Sequence, residues 1–144
     1  MIEPDTIKLL RECDAGIKMG VSSIEEVVDS VTDSGLRQML TSSKQRHEEL
    51  KQDIDELLNK YGDKGKEPDP VAKSMTWMKT NFKMAFDGTD SAIADIMTDG
   101  CNMGVKSLSK YLNQYSAADE DSKNITKRLI SIEENLGADM RSFL

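Results

Sequence analysis

Residues 16–28, G-I-K-M-G-V-S-S-I-E-E-V-V, decide the fold of this chain, because their pattern is repeated 84 residues later. Residues 100–112 read G-C-N-M-G-V-K-S-L-S-K-Y-L, so both stretches contain G-x-x-M-G-V-x-S. Apolar residues recur every three or four positions through each copy, which is typical of a helix with one buried face. A glycine pair four residues apart also indicates close approach of another backbone. The repeat predicts two equivalent helical hairpins, related by an internal pseudo-two-fold that brings Gly20 and Gly104 together.

The apolar period continues outward from both copies and divides the chain into three parts. It predicts helices over residues 3–31, 36–61 and 90–116, and a last helix that runs to the terminus. Together these give a hairpin over 3–61, a crossover over 62–89 and a hairpin over 90–144. We therefore expect a single all-α domain over 1–144, an antiparallel four-helix bundle with one long crossover.

The crossover begins with the solvated run G-D-K-G-K-E-P-D-P and then contains a short amphipathic helix over residues 71–86. Three large side chains, Met75, Met78 and Phe82, share its apolar face. A contiguous apolar surface of this kind is unusual on a monomer. We expect this face to cover the bundle or to join a dimer.

Composition and charge exclude several classes of partner. The net charge of −7 disfavours nucleic acid, because phosphate binding requires a concentrated basic face. There is no apolar run of about 18 residues, and the N-terminus lacks the basic and apolar regions of a signal peptide. Two cysteines, Cys13 and Cys101, form no disulfide framework. These features predict a cytoplasmic protein without a membrane partner.

Two polar residues, Ser43 and His47, interrupt the apolar stripe of the second helix. Ending the second and last helices at the same level places His47 opposite Glu133. A buried carboxylate needs a cationic or hydrogen-bonding partner, which histidine supplies. We predict that His47 and Glu133 lie within hydrogen-bonding reach, with Ser43 as another partner for the imidazole. Lys44, one turn before His47, would add a second cation if its stem extends inward.

Several short patterns resemble an uncharacterised bacterial branch of the ferritin-like superfamily. They are W-x-K from Trp77, A-F-x-G-x-D-x-x-I from Ala85, the following Gly100, and C-x-x-G from Cys13. The resemblance covers essentially the whole chain and implies the bundle with a long crossover. Metal-binding members of that superfamily use one Glu on each of two helices and a Glu-x-x-His on each of the other two.

The chain departs from that ligand pattern. Ile17 and Cys101 stand where the resemblance implies the two single carboxylates. Lys44-x-x-His47 replaces one Glu-x-x-His. In the other, Ile130 matches Lys44 and Glu133 matches His47, so that motif has neither its Glu nor its His, and His47 is the only histidine. We expect a degenerate metal site without a bound metal or other cofactor. Its interior polar remnant would be His47, Glu133, Lys44 and Ser43.

Three functions remain open at this point. The sequence favours a non-enzymatic structural or interaction protein that forms homo-oligomers and can also bind a protein partner. The alternative is a metal-binding protein, an oxidoreductase or iron-handling protein, with an atypical site for iron or another divalent metal. A third hypothesis is a small-ligand binder that uses the cavity left by the metals. No complete catalytic constellation is present, so an enzymatic activity is not predicted.

A copper site is the weakest of the chemical hypotheses. Soft sulfur ligands suit Cu(I), and the chain has five suitably placed candidates. Helical spacing and the usual role of methionine as a filler of cores favour packing instead. The candidates are Cys13, Cys101, Met19, Met97 and Met103.

Overall fold

The computed structural model describes residues 2–68 and 89–144, and these two stretches contain four long helices and no strand. The all-α prediction is confirmed for these residues. The expected short helix over 71–86 and its apolar face lie outside them. The elements are α1 (Pro4–Val28), α2 (Ser34–Lys60), α3 (Asp90–Gln114) and α4 (Glu120–Met140), followed by a 3-10 turn (Arg141–Phe143).

Side-chain caps fix where three of the helices begin. The carboxylates of Asp33 and Asp119 and the hydroxyl of Thr89 each accept a backbone N–H of the first turn that would otherwise be unpaired. The ends of the helices are less visible in the sequence. α1 ends at Val28 rather than at residue 31, although Val31 is buried in the core. The apolar period thus continues beyond the helix into the turn.

The helices pack so that each hairpin also contacts the other, as in a helical bundle. α1 packs against the other three helices, and α2 packs against α4. Hydrogen bonds also join the turn of each hairpin to a residue of the other hairpin. The Asp90 carboxylate accepts the N–H of Thr32 and of Asp33, both at 2.9 Å, so the start of α3 holds the first turn. At the second turn, the N–H of Asp119 donates to the hydroxyl of Thr6 at 2.9 Å.

The apolar core is divided into two clusters by one polar layer. On α1, α3 and α4 an apolar residue of each cluster lies about one turn on either side of the layer, whereas on α2 Ser43 stands between Leu40 and His47. The layer itself holds Gly20 from α1, His47 from α2, Gly104 from α3 and Glu133 from α4. Two large polar side chains therefore share their layer with two residues that have no side chain.

Asp14 is a buried carboxylate that the sequence reasoning did not single out. Its oxygens accept from the ammonium of Lys18 at 2.8 Å, the ammonium of Lys51 at 3.5 Å and the N–H of Lys66 at 3.0 Å. Gly65, at φ +82°, brings the chain against this carboxylate in a conformation that other residues rarely adopt. Asp14 thus anchors the start of the crossover to α1.

Among the described helices, none is both long and apolar enough to cross a lipid bilayer.

Candidate functional site

His47 and Glu133 form a buried pair at the centre of the bundle. His47 Nε2 lies 2.8 Å from Glu133 Oε1, and His47 Nδ1 lies 2.7 Å from the carbonyl oxygen of Ser43. A carbonyl oxygen only accepts, so Nδ1 carries a proton and donates it to Ser43. One further proton lies between Nε2 and the carboxylate. The structure therefore brings together the two residues that the sequence register placed opposite each other.

The electrostatics of the pair favour a charged imidazole. Burial alone would lower the pKa of His47, because a charged ring is poorly solvated in the core. The hydrogen bond and negative charge of Glu133, together with the carbonyl of Ser43, outweigh burial and raise that pKa above its ordinary value. We describe the pair as an imidazolium donating to a carboxylate.

The second glycine of each repeat makes room for this pair. A Cβ on Gly20 would lie 2.7 Å from His47 Nε2, and a Cβ on Gly104 would lie 3.3 Å from Glu133 Oε2. The sequence indicated that these glycines admit another backbone, and that close approach stays a prediction. The atoms nearest to them belong to the two polar side chains, which need the space because both are large and buried. The pseudo-two-fold relation between the hairpins stays a prediction.

The pair lies at the bottom of a cleft of about 270 Å³ between α1 and α3. Both copies of the repeat line its walls with the same four positions. The remaining wall is largely apolar, with Ile24, Met97, Leu108 and Leu136. The repeated positions are Gly16, Met19, Gly20 and Ser23 on α1, and Gly100, Met103, Gly104 and Ser107 on α3.

One end of the cleft is closed by polar groups around Glu12. The carboxylate of Glu12 accepts from the ammonium of Lys66, so it links α1 to the crossover. Burial and the negative charge of Glu12 raise the pKa of Tyr111, which keeps its hydroxyl protonated. The ammonium at this end of the cleft is therefore already bound to an acceptor.

Two of the other predicted polar residues contribute differently from what was expected. Lys44 does not reach the pair, because its ammonium pairs with Glu25 of α1 at 3.3 Å near the surface. Ser43 contacts His47 through its carbonyl, whereas its hydroxyl is buried and has no hydrogen-bond partner among the residues that the structure describes.

The two positions that the resemblance assigned to lost carboxylates are both buried. Ile17 packs in the apolar cluster on one side of the polar layer. Cys101 lies in the cluster on the other side, and Glu133 is the charged group that acts on its thiol. Burial and the charge of Glu133 raise the pKa of this thiol far above its ordinary value, which disfavours a thiolate ligand or nucleophile.

The soft-ligand candidates separate into two places. The cleft is lined by Met19, Met97, Cys101 and Met103. Cys13 lies instead in the apolar cluster that contains Ile17, and its sulfur is 3.2 Å from the Thr126 hydroxyl. Burial raises the pKa of Cys13 to about 11. Within residues 2–68 and 89–144, no three His, Cys, Asp or Glu side chains are grouped so that they could hold a metal ion.

No family model, curated protein or solved structure matches this chain. The site is therefore interpreted from its own chemistry. It combines a recess with largely apolar walls and a floor that carries an ion pair of no net charge. Such a recess can bind an apolar molecule and hold one polar group of it in a fixed position. The sequence signal for the cleft is the methionine and the serine that both repeats share. The sequence favoured core packing for Met19 and Met103, whereas the structure places both on the walls of the cleft.

Proposed function

We propose that this protein is a non-enzymatic, ferritin-like antiparallel bundle that binds a small apolar ligand in the cleft between α1 and α3. The observation that carries the proposal is the position of Glu133, a buried carboxylate that is reached from a recess with mostly apolar walls. Binding sites for small molecules are concave and mainly apolar, with a few polar groups that orient the ligand. A recess of about 270 Å³ lies near the lower end of their usual size.

The walls of the cleft suit a ligand that varies in shape. Met19 and Met103 come from matching positions of the repeat and face the cleft from opposite sides. Methionine is flexible and polarisable, so it adapts to different apolar surfaces. Half of Met103 is exposed to solvent at the entrance of the cleft, so an apolar ligand could bury this surface. Burying such surface provides roughly 25 cal/mol per Å² of binding free energy before the costs of association.

The test is a binding titration with 4-phenylbutan-1-ol, a small neutral probe with an apolar body, followed by backbone amide NMR. We expect saturable shifts at Gly20 and Gly104, whose amides lie beside the cleft. Ser23→Phe, which places a large ring on the wall of the cleft, should abolish binding. The control is Ser22→Phe, because the adjacent Ser22 is exposed and does not line the cleft. Equal binding by both variants would exclude the cleft as the site.

The metal-binding alternative has a separate test. The buried His47, Glu133 and the neighbouring Cys101 supply ligand types that metals use, but the imidazole is already engaged on both nitrogens. X-ray fluorescence of the purified protein measures bound metals directly. Two iron or manganese atoms per chain would replace the ligand-binding proposal with a metal-handling function. Self-association is measured independently, by light scattering of the purified chain.

A further inference from the structure

We infer that the ligand of this cleft is an uncharged apolar molecule that ends in a hydrogen-bond donor, such as an alcohol, and that this donor binds Glu133 Oε2. The inference rests on the proposed function, because it names the class of molecule that the cleft would bind. It also states which molecules the cleft would reject, namely carboxylic acids and other anions with the same apolar body.

The carboxylate is the member of the pair that faces the cleft. The Glu133 side chain is 11% exposed, whereas that of His47 is 1% exposed. Oxygen Oε1 is bound to His47 Nε2, and Oε2 is the oxygen that lies toward Gly104. Any residue with a Cβ at position 104 would cover this oxygen, since that atom would lie 3.3 Å from it. The glycine therefore keeps Oε2 open to a ligand from the α3 side.

Among the described residues, the charged pair at the floor of the cleft offers an acceptor but no donor that is still free, and the hydroxyls of Ser23 and Ser107 belong to the walls. Both nitrogens of His47 are engaged, one with the Ser43 carbonyl and one with Glu133. A carboxylate has about four acceptor positions, so acceptor capacity remains after the bond to His47. A ligand hydroxyl would therefore find a partner at the floor, whereas a ligand carboxylate would not.

The charges around the cleft favour a neutral ligand over a charged one. The imidazolium of His47 balances Glu133, and the ammonium of Lys66 balances Glu12 at the closed end. A charged ligand would lose its hydration without gaining an unbalanced counter-charge, which is unfavourable in a buried site. An anion would in addition approach two carboxylates. A neutral ligand with a hydrogen-bond donor avoids both the loss of charge hydration and the repulsion by the two carboxylates.

A matched series of four probes tests the inference on the intact protein by isothermal titration calorimetry at pH 7. The probes share a phenylbutyl body and end in a hydroxyl, an ammonium, a carboxylate or a hydrogen atom. They are 4-phenylbutan-1-ol, 4-phenylbutylamine, 4-phenylbutyrate and butylbenzene. We expect the alcohol to bind about tenfold more tightly than butylbenzene, in line with one hydrogen bond to a charged acceptor. The amine should bind more weakly than the alcohol, and the carboxylate should bind at least about tenfold more weakly.

The variant Glu133→Gln separates the hydrogen bond from the shape of the cleft. Glutamine has nearly the same size as glutamate but adds an amide donor at the floor, which a ligand carboxylate can accept. The preference of the cleft for the alcohol over the carboxylate should therefore fall by about tenfold. Glu134→Gln is the control, because Glu134 is the exposed neighbour on the same helix. An unchanged preference in Glu133→Gln would overturn the inference.

The outcomes for the wild-type protein distinguish the two proposals and do not depend on whether a variant folds. If the alcohol and butylbenzene bind equally, the cleft binds apolar molecules but Glu133 does not select a donor, and the inference fails alone. Equal binding of the alcohol and the carboxylate would have the same meaning. If no member of the series binds, the proposed function fails and the inference with it.

Discussion

Replacing Gly20 by alanine tests whether the repeated glycine exists to accommodate the buried ion pair. The added methyl group would lie 2.7 Å from His47 Nε2 and 2.9 Å from His47 Cδ2. Both distances are too short for atoms that are not bonded, so the ring has to move away. Its position is fixed by hydrogen bonds of 2.7 and 2.8 Å to Ser43 and Glu133. We expect at least one of those bonds to break.

The same substitution at Gly16 is the matched control. Gly16 lies one turn earlier on α1, and its added methyl group would lie 3.6 Å from a Leu129 methyl and 3.9 Å from a Leu108 methyl. These are ordinary contacts. Alanine is favoured over glycine inside a helix by about 1 kcal/mol, so Gly16→Ala should raise the free energy of unfolding by about 0.5–1 kcal/mol.

Gly20→Ala gains the same helix propensity but loses part of the pair. A buried polar group that is left without its partner costs about 1–3 kcal/mol, and more if it is charged. After the gain in propensity is subtracted, we expect a net loss of about 0–2.5 kcal/mol in the free energy of unfolding. Because both alanine variants share that gain, they should differ by about 1–3 kcal/mol.

Urea unfolding followed by far-ultraviolet circular dichroism measures this difference. Equal slopes for the two variants would show that the denatured states are comparable, so the shift in midpoint reports stability. If Gly20→Ala is as stable as Gly16→Ala, the glycine is not required by the pair and the argument for the polar layer is wrong.

The buried polar groups give three more predictions, all measured as the free energy of unfolding in urea. Because the pKa of His47 is raised in the folded state, stability should be greatest below the unfolded value of 6.5 and should fall as pH rises through the folded value. The slope is at most about 1.4 kcal/mol per pH unit, and His47→Gln should remove it. Asp14→Asn should lower stability by about 1–3 kcal/mol and speed hydrogen exchange of the Lys66 amide that Asp14 holds. Ser43→Ala should cause no loss, because the buried hydroxyl it removes has no partner.

The four helices were predictable because each carries a long apolar stripe and three begin at a side-chain cap. Asp33 and Asp119 lie at turns that the sequence marks clearly, and the structure starts a helix after each of them. The end of α1 was not predictable in the same way. Val31 continues the apolar period but is buried from within a turn, and periodicity alone does not distinguish a helical from a non-helical buried residue.

The approach of His47 and Glu133 was predicted, but the assumption that the second and last helices end at the same level is wrong. Leu58 at the end of α2 packs in one cluster with Ile125 at the start of α4, whereas Leu36 and Met140 share the other cluster. The two residues meet because both occupy inward positions between these clusters.

The direction of Lys44 did not follow from the sequence, because a long side chain can reach several partners and Glu25 is on another helix. A cavity at this place was one of the sequence hypotheses, but its shape and lining were not predictable. They depend on side chains from all four helices and from the start of the crossover, which only the folded chain brings together. Asp14 was missed because its partners come from three separate stretches.

The polar layer shows what a single chain with two hairpins can do that a symmetric dimer of one hairpin cannot. If the predicted pseudo-two-fold relates the hairpins, the places of His47 and Glu133 would hold the same residue in such a dimer, so two imidazoles or two carboxylates would face each other. Two like charges at 2.8 Å, the separation found here, would repel, and one would have to give up its charge. With both hairpins in one chain the two places can differ, and the centre can hold opposite charges. Each hairpin by itself therefore contains only half of the site.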